Sequence, residues 1–145
     1  DVESFAIDNY SEKEISPFRD EVEMEGYQDP KKTFWAGLQE KQYFCAKTIQ
    51  DLTPRDIHKQ PNVIFYDADH DPQAQYDNLT FLIPAFADKF ILVVDDANFM
   101  GVVQSSEFWV KEHKLNLLFE RKILTKVPED PNGWWNGIHV MVLQK

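Results

Sequence analysis

Two bursts of acid, each closing an apolar run, are the part of this sequence best equipped for chemistry. Asn62-Val63-Ile64-Phe65-Tyr66 runs into Asp67-Ala68-Asp69-His70-Asp71, and Lys89-Phe90-Ile91-Leu92-Val93-Val94 runs into Asp95-Asp96-Ala97-Asn98. Carboxylates at Asp67, Asp95 and Asp96 could converge on one hard divalent cation, because Mg2+ prefers oxygen ligands and keeps waters or substrate oxygens in its remaining positions. Like charges held close together are unfavourable, and a cation relieves them. His70, just past the first strand end, could take a proton from a hydroxyl bound at such a site. The competing reading is structural: each acid caps the next helix, a role that Asp71 fits best and Asp69 next, with His70 a solvated loop histidine.

Elements must bring the two clusters together. Apolar, β-branched runs without alternation suit strands covered on both faces, as in a parallel α/β sheet, where ligands bind at the carboxyl ends. Between the clusters, Asp71 is an N-cap candidate, Pro72 suits the first helical position, and Tyr76, Leu79 and Ile83 recur at helical spacing. This reads as the crossover helix between parallel strands, so both clusters leave the sheet at one edge.

The rest of the chain reads as a similar alternation. Residues 2–7 form a short strand ending at Asp8-Asn9, and residues 17–25 a short surface helix. A second Asp-Pro start at Asp29-Pro30 opens a helix with Phe34, Trp35 and Leu38 on one face, and residues 43–49 form a strand leading to Gln50-Asp51 and Pro54. Beyond the second cluster Gly101 is placed in a loop, and Ser105 is a cap candidate for the next helix. Residues 115–124 and 137–143 close the fold as an antiparallel pair around the turn formers of residues 128–133. His58, His113 and His139 have no acids clustered beside them and read as structural, and Trp134-Trp135 as packing of the hairpin.

The bulk numbers bound the class of protein. With 145 residues, 43% of them hydrophobic and 14% aromatic, the chain is long enough for one globular domain with a core, spanning residues 1–145. No apolar run approaches the roughly 20 residues of a membrane-spanning helix. A formal net charge of −10 argues against sequence-independent binding to nucleic acid and favours a cation, a metal or a small molecule as partner. The single cysteine, Cys45, reads as a small core residue in a reducing compartment, and no secretory leader is visible, so a cytoplasmic protein is expected. The sequon at Asn78-Leu79-Thr80 falls inside the predicted crossover helix and reads as accidental.

Asp67-Ala68-Asp69-His70-Asp71 after one strand, Asp95-Asp96 after the next, the early Phe5-Ala6-Ile7-Asp8-Asn9-Tyr10 segment and the antiparallel ending together resemble class I S-adenosylmethionine-dependent O-methyltransferases. The similarity is greatest to the metal-dependent branch of the macrocin and caffeoyl-coenzyme A enzymes. The resemblance implies a Rossmann-like, mostly parallel sheet with helices on both faces and a C-terminal antiparallel hairpin. It implies that Asp8 accepts hydrogen bonds from the cofactor's ribose, that Asp51 holds the adenine amino group, and that Asp67 belongs to the cofactor site as well as the metal site. It implies Asp67, Asp95 and Asp96 as metal ligands for Mg2+ or a similar ion, His70 as the base, and methyl transfer to a hydroxyl of a small molecule.

One departure accompanies the matches. The family's first strand and its glycine-rich turn precede the second strand, whereas here nothing precedes Asp1, and the five glycines form no such loop elsewhere. A domain truncated at its N-terminus relative to the family is therefore expected, with a gap at the central strand that a longer parent chain or a homo-oligomer could fill. Two other readings stand beside the methyltransferase. One is a non-catalytic binding or oligomerisation module of the same fold. The other is a nucleotide-sugar transferase using Asp67-Ala68-Asp69 with Mg2+ or Mn2+, although this leaves Asp95-Asp96 unexplained.

Overall fold

The computed structural model describes residues 4–7, 42–45, 49–53, 57, 60–125 and 136–145. The chain falls into two compact units, Asp1–Ile57 and His58–Lys145. In the first, strand β1 (Ser4–Ile7) pairs in parallel with β2 (Gln42–Cys45). The strand expected to run through Ile49 gives way there to a 3-10 turn, Ile49–Asp51, followed by buried Leu52. Asp8, His58, the two helices expected within residues 17–38, and the hairpin turn with Trp134-Trp135 lie outside the described residues.

The second unit holds β3 (Val63–Tyr66), helix α1 (Pro72–Leu82), β4 (Lys89–Asp95), helix α2 (Met100–Glu112), β5 (Asn116–Ile123) and β6 (Ile138–Gln144). The strands form one sheet in the order β3-β4-β6-β5, with β3 and β4 parallel and β6 antiparallel to both its neighbours. The expected crossover and closing hairpin are both present. None of the helices among the described residues is long and apolar enough to cross a membrane.

Residue types explain where α1 starts. Asp71 accepts from the N–H groups of Gln73 (3.0 Å) and Ala74 (2.9 Å), and Pro72 occupies a position whose N–H would have no helical partner anyway. The buried stripe consists of Gln75, Asn78, Leu79 and Leu82, one residue off the Tyr76-Leu79-Ile83 spacing. Asn78 donates to the Tyr66 hydroxyl at 3.1 Å and is buried, which removes the sequon from the surface.

Helix α2 starts at Met100, five residues before the expected cap at Ser105. Gly101, expected in a loop, lies in its first turn, where a Cβ would stand 3.0 Å from Pro72 Cγ, so the missing side chain lets the starts of the two helices approach closely. The serines bond backward rather than capping. Ser105 Oγ donates to Pro72 O (2.6 Å), and Ser106 Oγ lies within bonding distance of Val102 O and Val103 O.

Both helices cover the sheet face that carries Tyr66, Phe90, Leu92, Val94, His139, Met141 and Leu143, all buried. Among the described residues the opposite face leaves Val63, Phe65 and Ile91 exposed, so the continuous apolar runs do not translate into burial on both faces. Edge strand β5 is exposed throughout and carries a bulge between Leu117 and Phe119 together with Glu120, Arg121 and Lys122, features that discourage edge-to-edge pairing.

His139 ties these layers together. Its Nδ1 lies 3.1 Å from Ser106 Oγ on α2 and its Nε2 2.7 Å from Glu120 Oε1 on β5, where Lys122 pairs with both Glu120 and Glu107. Burial pulls the imidazole below its ordinary value of 6.5, against the opposing pull of the Glu120 carboxylate. For Glu120, burial pushes upward but is outweighed by the hydrogen bonds from His139 and Lys122, which leave the carboxyl below its ordinary value. The unfolded chain therefore takes up a proton at His139 that the folded chain resists. The stabilisation is complete above about pH 6.5 and is lost as pH falls below it. Urea midpoints are expected to drop between about pH 7.5 and about pH 5.5, and His139→Gln to flatten that slope; identical slopes for the two proteins would remove His139 as the cause.

Candidate metal centre

Parallel pairing of Tyr66 with Val94 makes β3 and β4 end side by side, so the two acid clusters emerge at one edge. The segments beyond the two strand ends are built differently. After β3, Asp69 Oδ1 accepts from the Asp71 N–H at 2.8 Å, and Asp71 caps α1, so two of the three acids in this cluster shape the loop. Asp67 and His70 are left facing the cleft.

After β4 the backbone turns sharply. Asp96 adopts φ 59°, a left-handed conformation that Asp and Asn enter more readily than most side chains. Its N–H donates to Asp95 Oδ1 at 2.8 Å. The start of β6 pins the turn: Ala97 N–H donates to Gly137 O (3.1 Å) and Asn98 N–H to Asn136 O (2.7 Å). Gly137 is required there, since φ is +77° and a Cβ would stand 2.7 Å from Ile123 O and 2.8 Å from Asn98 Oδ1.

The Asp96 carboxylate is mostly buried and shared between two donors. Asn136 Nδ2 donates to Oδ1 at 2.7 Å, and His70 Nε2 lies 2.5 Å from Oδ2. The His70 ring stacks on Phe99 with centroids 5.6 Å apart and planes 25° apart. One ligand atom each from Asp67, His70 and Asp96 lies within 4.8 Å of the others. Oxygen ligands stand about 2.0–2.6 Å from Mg2+ or Ca2+, so two on opposite sides of an ion are roughly 4–5 Å apart. The oxygen and nitrogen donor set and its spacing fit a divalent cation.

The structure thus brings together Asp67, His70 and Asp96. Asp95 stands beside them with one oxygen on the Asp96 N–H, while Asp51 lies exposed at the end of the 3-10 turn in the first unit. Asn136, Phe99 and Gln75 also belong to the site without having been anticipated. Of these, Gln75 had a readable signal, a polar amide one helical turn before Leu79 on the buried stripe. The shallow cleft between the strand ends is lined in part by Tyr66, Gln75 and Val102. Burial raises the pKa of the Tyr66 phenol, opposed by the Asn78 hydrogen bond and reinforced by the Asp69 charge, so it remains a neutral wall group.

A parallel strand-helix-strand unit followed by an antiparallel pair, in the order β3-β4-β6-β5, defines a Rossmann-like fold of the methyltransferase type. The chain is similar in structure to a Staphylococcus aureus protein provisionally described as a caffeoyl-CoA O-methyltransferase, with a TM-score of 0.54 and 8% sequence identity, covering 99% of this chain and 77% of that one. It is also similar to a cysteine-to-alanine variant of LepI in complex with SAH and a substrate analogue, with a TM-score of 0.50 and 9% identity, covering 98% of this chain and 43% of that one. No protein-family model and no curated protein matches the sequence.

Proposed function

We propose that the chain is a metal-assisted, S-adenosylmethionine-dependent O-methyltransferase acting on a hydroxyl of a small molecule. The observation that carries this reading is the meeting of Asp67, His70 and Asp96 at the carboxyl edge of a sheet with this strand order. Asp67 and Asp96 would hold Mg2+ or a similar ion, with Asp95 supporting the turn that presents Asp96. When bound, such an ion lowers the pKa of the acceptor hydroxyl and fixes its oxygen.

His70 is the base in this reading. Asp96 Oδ2 fixes its orientation by accepting from Nε2–H, and Phe99 holds the ring flat, which leaves Nδ1 to take the hydroxyl proton. As the oxygen–carbon bond forms, the sulfur–carbon bond of the donor breaks in line, and the products are a methyl ether and S-adenosylhomocysteine. Asp8 and Asp51 are assigned to the ribose and adenine of that cofactor.

A non-catalytic module of the same fold is the second reading. It is favoured by the arrangement of the strands in two sheets, β1-β2 and β3-β4-β6-β5. Self-association that completes the cofactor site would reconcile it with catalysis. Calorimetric titration with S-adenosylhomocysteine, with and without Mg2+, while light scattering reads the mass in solution, separates the two. Micromolar binding is expected for the methyltransferase; no binding in either monomer or oligomer would leave the non-catalytic module.

A further inference from the structure

Gln75 is fully buried on α1 yet only half satisfied. Its Nε2 donates to Val102 O on α2 at 3.1 Å. That bond fixes the amide, because turning it over would set its oxygen against another carbonyl. Oε1, directed away from Val102 O, is buried and finds no hydrogen-bond partner among the described residues. A buried acceptor without a donor is costly enough that natural cores rarely keep one.

The surroundings narrow what can satisfy it. Gln75 shares the wall of the cleft with Asp67, His70 and Asp96. Ionised carboxylates offer no hydrogen to donate. The donors beside them, His70 Nε2 and Asn136 Nδ2, are directed at Asp96, and the Tyr66 hydroxyl on the same wall does not bond Oε1. The cleft is therefore rich in acceptors, and its missing component is a positive charge that brings donors with it. A hydrated divalent cation supplies both, since Mg2+ keeps several of its waters when it binds protein carboxylates.

We propose that Gln75 Oε1 accepts a hydrogen bond from the hydration shell of a divalent cation held by Asp67 and Asp96, making Gln75 a positioning residue of the metal centre. The inference rests on the cation reading of that cluster. It assigns the helix α1 amide a task beyond bridging to α2.

Two substitutions separate that task from the bridge. Gln75→Met keeps the length and removes both polar atoms. Gln75→Glu loses the Nε2–H that reaches Val102 O but keeps an acceptor facing the cleft. Mn2+ binding to the whole chain, read by the paramagnetic resonance signal of free Mn2+, is expected to weaken about tenfold in Gln75→Met, the scale of a lost outer-shell contact. Gln75→Glu is expected to bind Mn2+ at least as tightly as the parent, even though both variants melt earlier without metal. Equal weakening in the two variants, in step with their melting temperatures, would reduce Gln75 to a structural bridge and overturn the inference. So would unchanged affinity in Gln75→Met while the parent binds Mn2+, and that result would leave the cation reading intact. No Mn2+ binding by the parent would overturn both.

Discussion

Asp67→Asn combined with Asp96→Asn is expected to weaken Mn2+ binding by at least about a hundredfold, because affinity at an oxygen site is set largely by the number of ligand charges. The fold should survive the change. At Asp96 the amide oxygen still accepts from Asn136 Nδ2, and the new amide N–H can donate to His70 Nε2 once that ring shifts its proton to Nδ1. Removing two like charges from one cleft also relieves repulsion, so the metal-free melting temperature should hold or rise slightly. Asp69→Asn serves as the control, since Asp69 bonds the Asp71 N–H and lies outside the converging set. The readout is Mn2+ affinity by calorimetry. Unchanged affinity in the double variant would mean that these acids only build turns, and the metal centre would be lost with them.

The residues differ in how far they disclosed their roles. Asp71-Pro72 disclosed everything about the start of α1, because capping and proline placement act within a few residues. The paired acid clusters disclosed their common edge, since a helix between two apolar runs implies parallel strands. Asp95 and Asp96 both line the cleft, and the backbone makes a left-handed turn at Asp96. Simple strand alternation sends neighbouring side chains to opposite faces, so the adjacent acids share one cleft only because the strand ends there in a turn. Asn136 and Gly137 hold that turn from far along the chain, through pairing that no local pattern encodes. The start of α2 was misplaced because Ser105 and Ser106 look like caps, whereas their hydroxyls reach back to carbonyls and the cap position is Phe99, which makes no side-chain cap bond. His139 read correctly as structural, but its link to Glu120 required knowing that β5 and β6 pair.

Trp109→Ala is expected to cost about 3–5 kcal/mol, the range for emptying a large aromatic from a core. Trp109 is the largest fully buried side chain among the described residues, it lies on α2 between Ser106, which faces His139, and the His113 ring at 5.3 Å, and its helix supplies the Val102 carbonyl that anchors Gln75. Loss of this side chain should therefore lower the urea midpoint, followed by circular dichroism, more than any other single truncation on α2. The indole carries a second feature that makes the companion variant informative. Its Nε1–H is buried and has no hydrogen-bond partner among the described residues. Trp109→Phe removes that donor along with part of the ring, so two effects oppose each other: a residual cavity that destabilises, and release of an unpaired N–H worth roughly 1–3 kcal/mol. The second offsets most of the first, and Trp109→Phe should lie within about 1 kcal/mol of the parent. A loss in Trp109→Phe as large as that in Trp109→Ala would show that the indole N–H is satisfied in solution, by a buried water or by a neighbour, and that α2 is fastened to the sheet through a polar contact as well as through packing.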